Sequence, residues 1–151
     1  MPSNRPPPEV LSMILCDQII TDRFTGKQSL IGIFSRLHAP GFPVSHPQLS
    51  VYVTLTDGYG EVDLLVRIVD TNDARPAIVE GKGKVNFQNP RAIANLGLSF
   101  HGLRFPEQGE YRVQLYCDGE LLREARLDVV QVKPRKRPPP EGMEGAPPRG
   151  A

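Results

Sequence analysis

Tryptophan is absent from the 151 residues, cysteine occurs twice and histidine three times. Two thiols cannot build the multi-bridge framework that staples small secreted domains. His38 and His46 stand eight residues apart with no cysteine near them in sequence, which matches no zinc spacing. No run reaches the ~20 apolar residues of a membrane span. The most apolar stretch, Val10–Ile20, is broken by Asp17 and Gln18, and only Arg5 precedes it, so it reads neither as a spanning helix nor as a signal peptide. The expected setting is therefore the cytosol, where thiols stay reduced. Cys16 and Cys117 are read as buried free thiols, with a disulfide between the first and penultimate strands as the alternative.

Chemical signatures are missing as well. Gly26-Lys27 lacks the earlier glycine and the following Ser or Thr of a phosphate loop. Serine, histidine and aspartate are all present, but no G-x-S-x-G elbow places them. The sequence assigns no catalytic, cofactor-binding or metal-binding residue, and the chain is read as a non-enzyme that needs no cofactor.

Ten of the 16 prolines lie in the two ends. This divides the chain into an N-terminal arm (1–9), a domain (10–132) and a tail (133–151), with both ends expected to be disordered. The arm carries Arg5-Pro-Pro-Pro8, which favours polyproline II. The domain holds 12 Lys and Arg against 14 Asp and Glu, whereas the tail has a net charge of +3. A near-neutral domain argues against a nucleic-acid footprint on its surface.

Within the domain the period is two. Strands are predicted over about Val10–Ile20, Ser29–Leu37, Gln48–Thr56, Glu61–Asp70, Ala77–Phe87 and Asn95–Leu103. The first has apolar residues on both faces and is expected to be covered on two sides. In the second, Ile31, Ile33 and Leu37 share one face. His38–Pro47 holds three prolines and a glycine, which predicts a stiff crossing loop without regular structure. Gly81 and Gly83 predict a bulge or the close approach of another backbone. Asn89 before Pro90 suggests a capped helical turn.

The last hairpin is the most legible part. Tyr111, Val113, Leu115 and Cys117 alternate with polar residues, and Asp118-Gly119 offers a two-residue turn of left-handed positions. Tyr111 follows Pro106 and Gly109, where immunoglobulin-like folds keep a tyrosine corner. About seven to eight short strands with closely spaced turns and no amphipathic helix predict an all-β, immunoglobulin-like antiparallel sandwich.

Leu15-Cys-Asp-Gln-Ile-Ile20, Asp22, Thr25-Gly-Lys27, Ser29-Leu-Ile-Gly-Ile-Phe34, Phe105-Pro106 and Gly109-Glu-Tyr111 together resemble a family of short bacterial proteins of unknown function, over about residues 9–132. The resemblance implies an immunoglobulin-like sandwich and a bacterial cytosolic setting, and brings no catalytic or ligand residue. The chain departs from antibody-type domains in having no tryptophan and no cysteine pair at the usual positions.

Three surfaces are candidates. Tyr52 and Thr54 point outward, as does Tyr116, and the three would share one face if their strands were neighbours. Lys133, Arg135, Lys136 and Arg137 could tether the tail weakly to nucleic acid or another anionic surface. Asp57, Asp63, Asp70, Asn72, Asp73 and Asp118 lie at turns, where they serve as turn residues or as oxygen donors to calcium. The favoured function is an interaction module binding a protein partner or itself through the sandwich surface. The alternative is a calcium- or carbohydrate-type ligand-binding sandwich that uses the acidic loops.

Overall fold

The computed structural model describes residues 5–71 and 75–133. Among them there are nine strands and no helix: β1 (Glu9–Thr21), β2 (Gln28–Ile33), β3 (Arg36–Ala39), β4 (Val44–Thr56), β5 (Gly60–Asp70), β6 (Val79–Phe87), β7 (Ala94–Phe105), β8 (Gly109–Cys117) and β9 (Glu120–Gln131). They form a four-stranded sheet in the order β2-β1-β4-β7 and a five-stranded sheet in the order β3-β9-β8-β5-β6.

The alternation of apolar residues makes the core. Leu49, Val51, Val53 and Leu55 of β4 face Val62, Leu64, Val66 and Ile68 of β5 and Val113 and Leu115 of β8 across the sandwich, and all are buried. At one end Phe105 packs edge-on against Tyr111, with ring centres 5.0 Å apart. The Tyr111 hydroxyl donates to the Glu107 carbonyl at 2.6 Å, completing the tyrosine corner that the sequence suggests. The Asp118-Gly119 turn also forms as read, with φ of 48° and 85°.

The architecture is an all-β, immunoglobulin-like sandwich. Strands β4 and β7 occupy the neighbouring B and E places of the first sheet, and β5, β8 and β9 take C, F and G in the second. An additional strand, β1, lies between β2 and β4. One pairing is parallel, β3 with β9.

Several expectations change. The predicted second strand is two: β2 belongs to the four-stranded sheet, and after Phe34-Ser35 the chain changes sheet to become β3. Ile31 and Ile33 are exposed, while Leu30 and Phe34 are half-buried, so the inward face of β2 is the one that carries Leu30 and Phe34. The proline-rich crossing does carry the chain from the five-stranded to the four-stranded sheet, but its second half is the start of β4. There β4 borders only β7, because β1 joins it from Ser50 onward. Pro47 is thereby tolerated in a strand open on one side.

Gly81 and Gly83 of β6 make room for side chains rather than backbone. A Cβ at Gly81 would lie 2.6 Å from Phe100 Cε1, and one at Gly83 would lie 2.9 Å from Leu96 Cδ1. Phe100 and Leu96 of β7 thus fill the side of the sandwich where β6 and β7 converge. Asn89 caps a single turn rather than a helix, its Oδ1 accepting the Arg91 N–H at 3.0 Å. The N-terminal arm is not free from Arg5 onward: Pro8 is buried and Arg5 Nη1 donates to the Tyr59 carbonyl at 3.4 Å.

Candidate functional site

The two outer faces of the sandwich differ in charge. On the five-stranded sheet the outward residues form a lattice of ion pairs. Arg67 Nε lies 2.9 Å from Glu80, Lys84 Nζ 3.4 Å from Glu61 and 3.7 Å from Asp63, and Arg112 2.6 Å from Glu110 and 3.7 Å from Glu124. Arg126 adds contacts to Glu110 and Asp128. Exposed pairs of this kind contribute little to stability, because water screens them. They leave a solvated surface that a partner would have to strip of water.

The outer face of the four-stranded sheet is different. The outward positions of β4 from Gln48 to Thr56 and of β7 from Asn95 to His101 include no Asp, Glu, Lys or Arg. Their serine and threonine hydroxyls are paired with one another, with Asn95 or with backbone. Ser50 Oγ is 2.8 Å from Ser99 Oγ and donates to the Asp17 carbonyl at 3.3 Å. Thr54 Oγ1 donates to Asn95 Oδ1 at 3.1 Å and Thr56 Oγ1 to the Ala92 carbonyl at 3.1 Å. Polar groups satisfied in this way cost little to cover, because they are not asked to give up water.

The β1–β2 hairpin closes one end of this face. Beyond Cys16, β1 leaves β4 and continues with β2 alone. It crosses over the sheet: the Asp17 carbonyl sits on Ser50, and Ile19 Cδ1 lies 2.8 Å from where a Cβ of Gly97 would be. Ser50 and Cys16 are consequently fully buried although they point outward, which explains the apolar residues on both faces of β1. At the hairpin tip Asp22 Oδ1 accepts the N–H groups of Phe24 at 2.8 Å and Thr25 at 2.9 Å. Those bonds hold its carboxyl below the usual range.

Tyr52 stands at the foot of this arch, its ring 3.9 Å from the Cβ position of Gly97 and half-exposed. Among the described residues its hydroxyl has no hydrogen-bond partner, so it is free to bond outward. Thr54 is two residues along on the same face. Tyr116 is not there. It lies on β8 in the other sheet, across from Leu65 of β5, with its hydroxyl 3.2 Å from Gln114 Oε1. The expected single patch of Tyr52, Thr54 and Tyr116 is therefore two surfaces on opposite sides. The reason is the additional strand: Tyr52 occupies the B place, whose neighbour is E, rather than the C place beside F.

The remaining candidates are dispersed. Asp57 sits in the β4–β5 turn with φ of 59°, and Asp70 pairs with Arg75 at 3.1 Å. Asp63 and Asp118 are drawn together by a backbone bond of 3.1 Å. Asn72 and Asp73 lie outside the described residues. Among the described residues no three His, Cys, Asp or Glu side chains gather as metal ligands. His38 and His101 are exposed, and His46 lies edge-on to Phe34 with Nε2 4.0 Å from Asp17 Oδ1. Lys133 is the last described residue, and Arg135, Lys136 and Arg137 lie beyond it.

Both thiols are free and buried, in different sheets. Burial first, then the negative charges of Asp118, Asp63 and Glu120, pushes Cys117 up to about 11. Burial and Asp17 raise Cys16 as well. Neither is poised as a nucleophile. No helix among the described residues is long and apolar enough to cross a membrane.

Comparison with solved structures returns matches of low identity. A mutant β-glucosidase from Listeria innocua is 14% identical with a TM-score of 0.48, matching 84% of this chain but 17% of that enzyme. An immunoglobulin-like protein (PA1606) from Pseudomonas aeruginosa is 13% identical with a TM-score of 0.42, covering 85% of this chain and 100% of that one. The CARDB domain of the PF1109 protein from Pyrococcus furiosus is 12% identical with a TM-score of 0.37, covering 82% and 89%. These likenesses concern fold alone. No curated protein matches the sequence. The profile of a family of unknown function, DUF6941, matches residues 11–130, and the chain belongs to that family.

Proposed function

We propose that the chain is a non-enzymatic interaction module that binds a protein partner through the outer face of its four-stranded sheet, centred on Tyr52 and Thr54. The observation that carries this reading is the charge asymmetry of the sandwich: one face is laced with ion pairs, and the other has none from Gln48 to Thr56 and from Asn95 to His101. Depletion of charge around a tyrosine is the compositional mark of the centre of a protein interface. A half-buried tyrosine supplies a rigid anchor at small entropic cost and keeps one polar handle for the partner.

The test is affinity capture from nuclease-treated native lysate with the full chain and two variants. Tyr52→Ser/Thr54→Lys should lose a stoichiometric partner that Tyr116→Ser retains. All three are surface changes and should leave the far-UV circular dichroism unaltered. Loss in Tyr116→Ser alone would move the interface to the five-stranded sheet, and equal retention by all three would end this reading.

A further inference from the structure

The two sheets have four edges, and three of them are protected. β3 is four residues long and carries Arg36. β6 presents Glu80, Lys82 and Lys84. β7 converges on β6, with Phe100 and Leu96 filling the space at Gly81 and Gly83. The fourth edge is β2. Its sequence, Gln28-Ser-Leu-Ile-Gly-Ile33, has no charge and no proline, and among the described residues nothing pairs with its outer side. Unprotected edges of this kind are templates for pairing with another chain.

We infer that β2 pairs with β2 of a second copy of this chain, antiparallel about a two-fold axis near Leu30. An isologous contact is closed at two copies, which uses up both edges and leaves no end from which a fibre could grow. The side chains fit this occupant. Ile20, Ile31 and Ile33 lie on one side of the hairpin and are 43%, 48% and 64% exposed, and Phe24 at its tip is 94% exposed. At roughly 150–250 Å² for a large side chain in full exposure, these fractions amount to about 500 Å² of apolar surface per copy. Two copies bring about 1,000 Å², to which the paired backbone adds, close to the lower bound of ~1,200 Å² for a specific interface. An interface near this bound belongs with weak, transient contacts, and the pairing is accordingly expected in the micromolar range. Gly32, at φ of 70°, bends β2 toward its C-terminal end. Centring on Leu30 keeps that bend outside the middle of the pairing and sets Ile31 of each copy opposite Ser29 of the other.

This surface is separate from the Tyr52 face, and each proposal survives the failure of the other. Sedimentation velocity of the full chain from about 1 to 200 µM should show a monomer passing to a dimer. Ile31→Lys/Ile33→Lys, two exposed positions, should remain monomeric at the top concentration, at least a 20-fold weakening. Tyr52→Ser/Thr54→Lys should dimerise as the wild type does. A wild type monomeric throughout, species larger than two, a dimer that persists in the lysine variant, or one lost in the Tyr52 variant would each overturn the inference. A measurement on the wild type alone serves if the lysine variant does not fold: hydrogen exchange of residues 28–33 should slow as concentration rises. Exchange independent of concentration would overturn the assignment equally.

Discussion

Replacing Tyr111 by phenylalanine isolates one interaction at the corner of the fold. The ring is 1% exposed and packs edge-on to Phe105 at 5.0 Å, and phenylalanine keeps that contact. What is lost is the 2.6 Å bond from the hydroxyl to the Glu107 carbonyl. A net intramolecular hydrogen bond contributes ~1 ± 0.5 kcal/mol, and an orphaned buried acceptor costs more. Glu107 is on the surface, so water can reach its carbonyl in part, which keeps the expected loss at about 1–2 kcal/mol. For a domain of this size that lowers Tm by roughly 3–8 °C. Urea unfolding should show a lower midpoint with an unchanged slope, since the surface exposed on unfolding is the same. Burial raises the phenol of Tyr111 above its ordinary value, opposed by the bond to Glu107. In an alkaline absorbance titration Tyr111 should therefore ionise above the ordinary phenol range, and stability should fall as pH climbs past 10, because the unfolded phenol loses its proton first. A midpoint within 0.3 kcal/mol of wild type would refute the corner as a stabilising contact.

Other outcomes follow from the same contacts. Gly81→Ala places a Cβ against the Phe100 ring and should destabilise by about 1–3 kcal/mol as the β6–β7 side is overpacked; a neutral result by urea unfolding would show that side to be loosely filled. Both thiols should react with an aromatic disulfide reagent only slowly at pH 8 in the native state and fully in denaturant, because burial keeps them protonated. With the Cys117 value raised from 9.0 to about 11, its contribution to stability is complete below pH 9 and is lost between pH 9 and 11; a fast native thiol would contradict this. Changing Lys133, Arg135, Lys136 and Arg137 together to glutamine in the full chain should abolish weak, salt-sensitive retention on DNA while leaving partner capture intact. Retention that survives ~200 mM salt would place the contact elsewhere.

The sequence makes local chemistry plain and long-range placement obscure. Asp118-Gly119 and Tyr111 were readable because a turn and a corner depend on a few adjacent residues. The split between β2 and β3 was hidden because Leu30 and Phe34 mirror Ile31 and Ile33, so alternation alone could not say which face turns inward. The arch of β1 over Ser50 and Gly97 chose it. Pro47 looked like a strand breaker, and only the absence of β1 beside that part of β4 makes it tolerable. Tyr52 and Tyr116 both point outward, as alternation predicts. Their separation into different sheets depends on the additional strand, which no pattern within either segment announces. The charge asymmetry of the two faces likewise emerges only when outward positions of distant strands are laid side by side.

The most direct test is hydrogen-exchange footprinting of the full chain in complex with the partner captured from native lysate. Slowed exchange in β4 from Gln48 to Thr56 and in β7 from Ala94 to His101, with β8 and β5 unchanged, is the result expected of an interface on the uncharged face. Protection confined to β5, β6 and β8 would contradict it and assign binding to the ion-paired side.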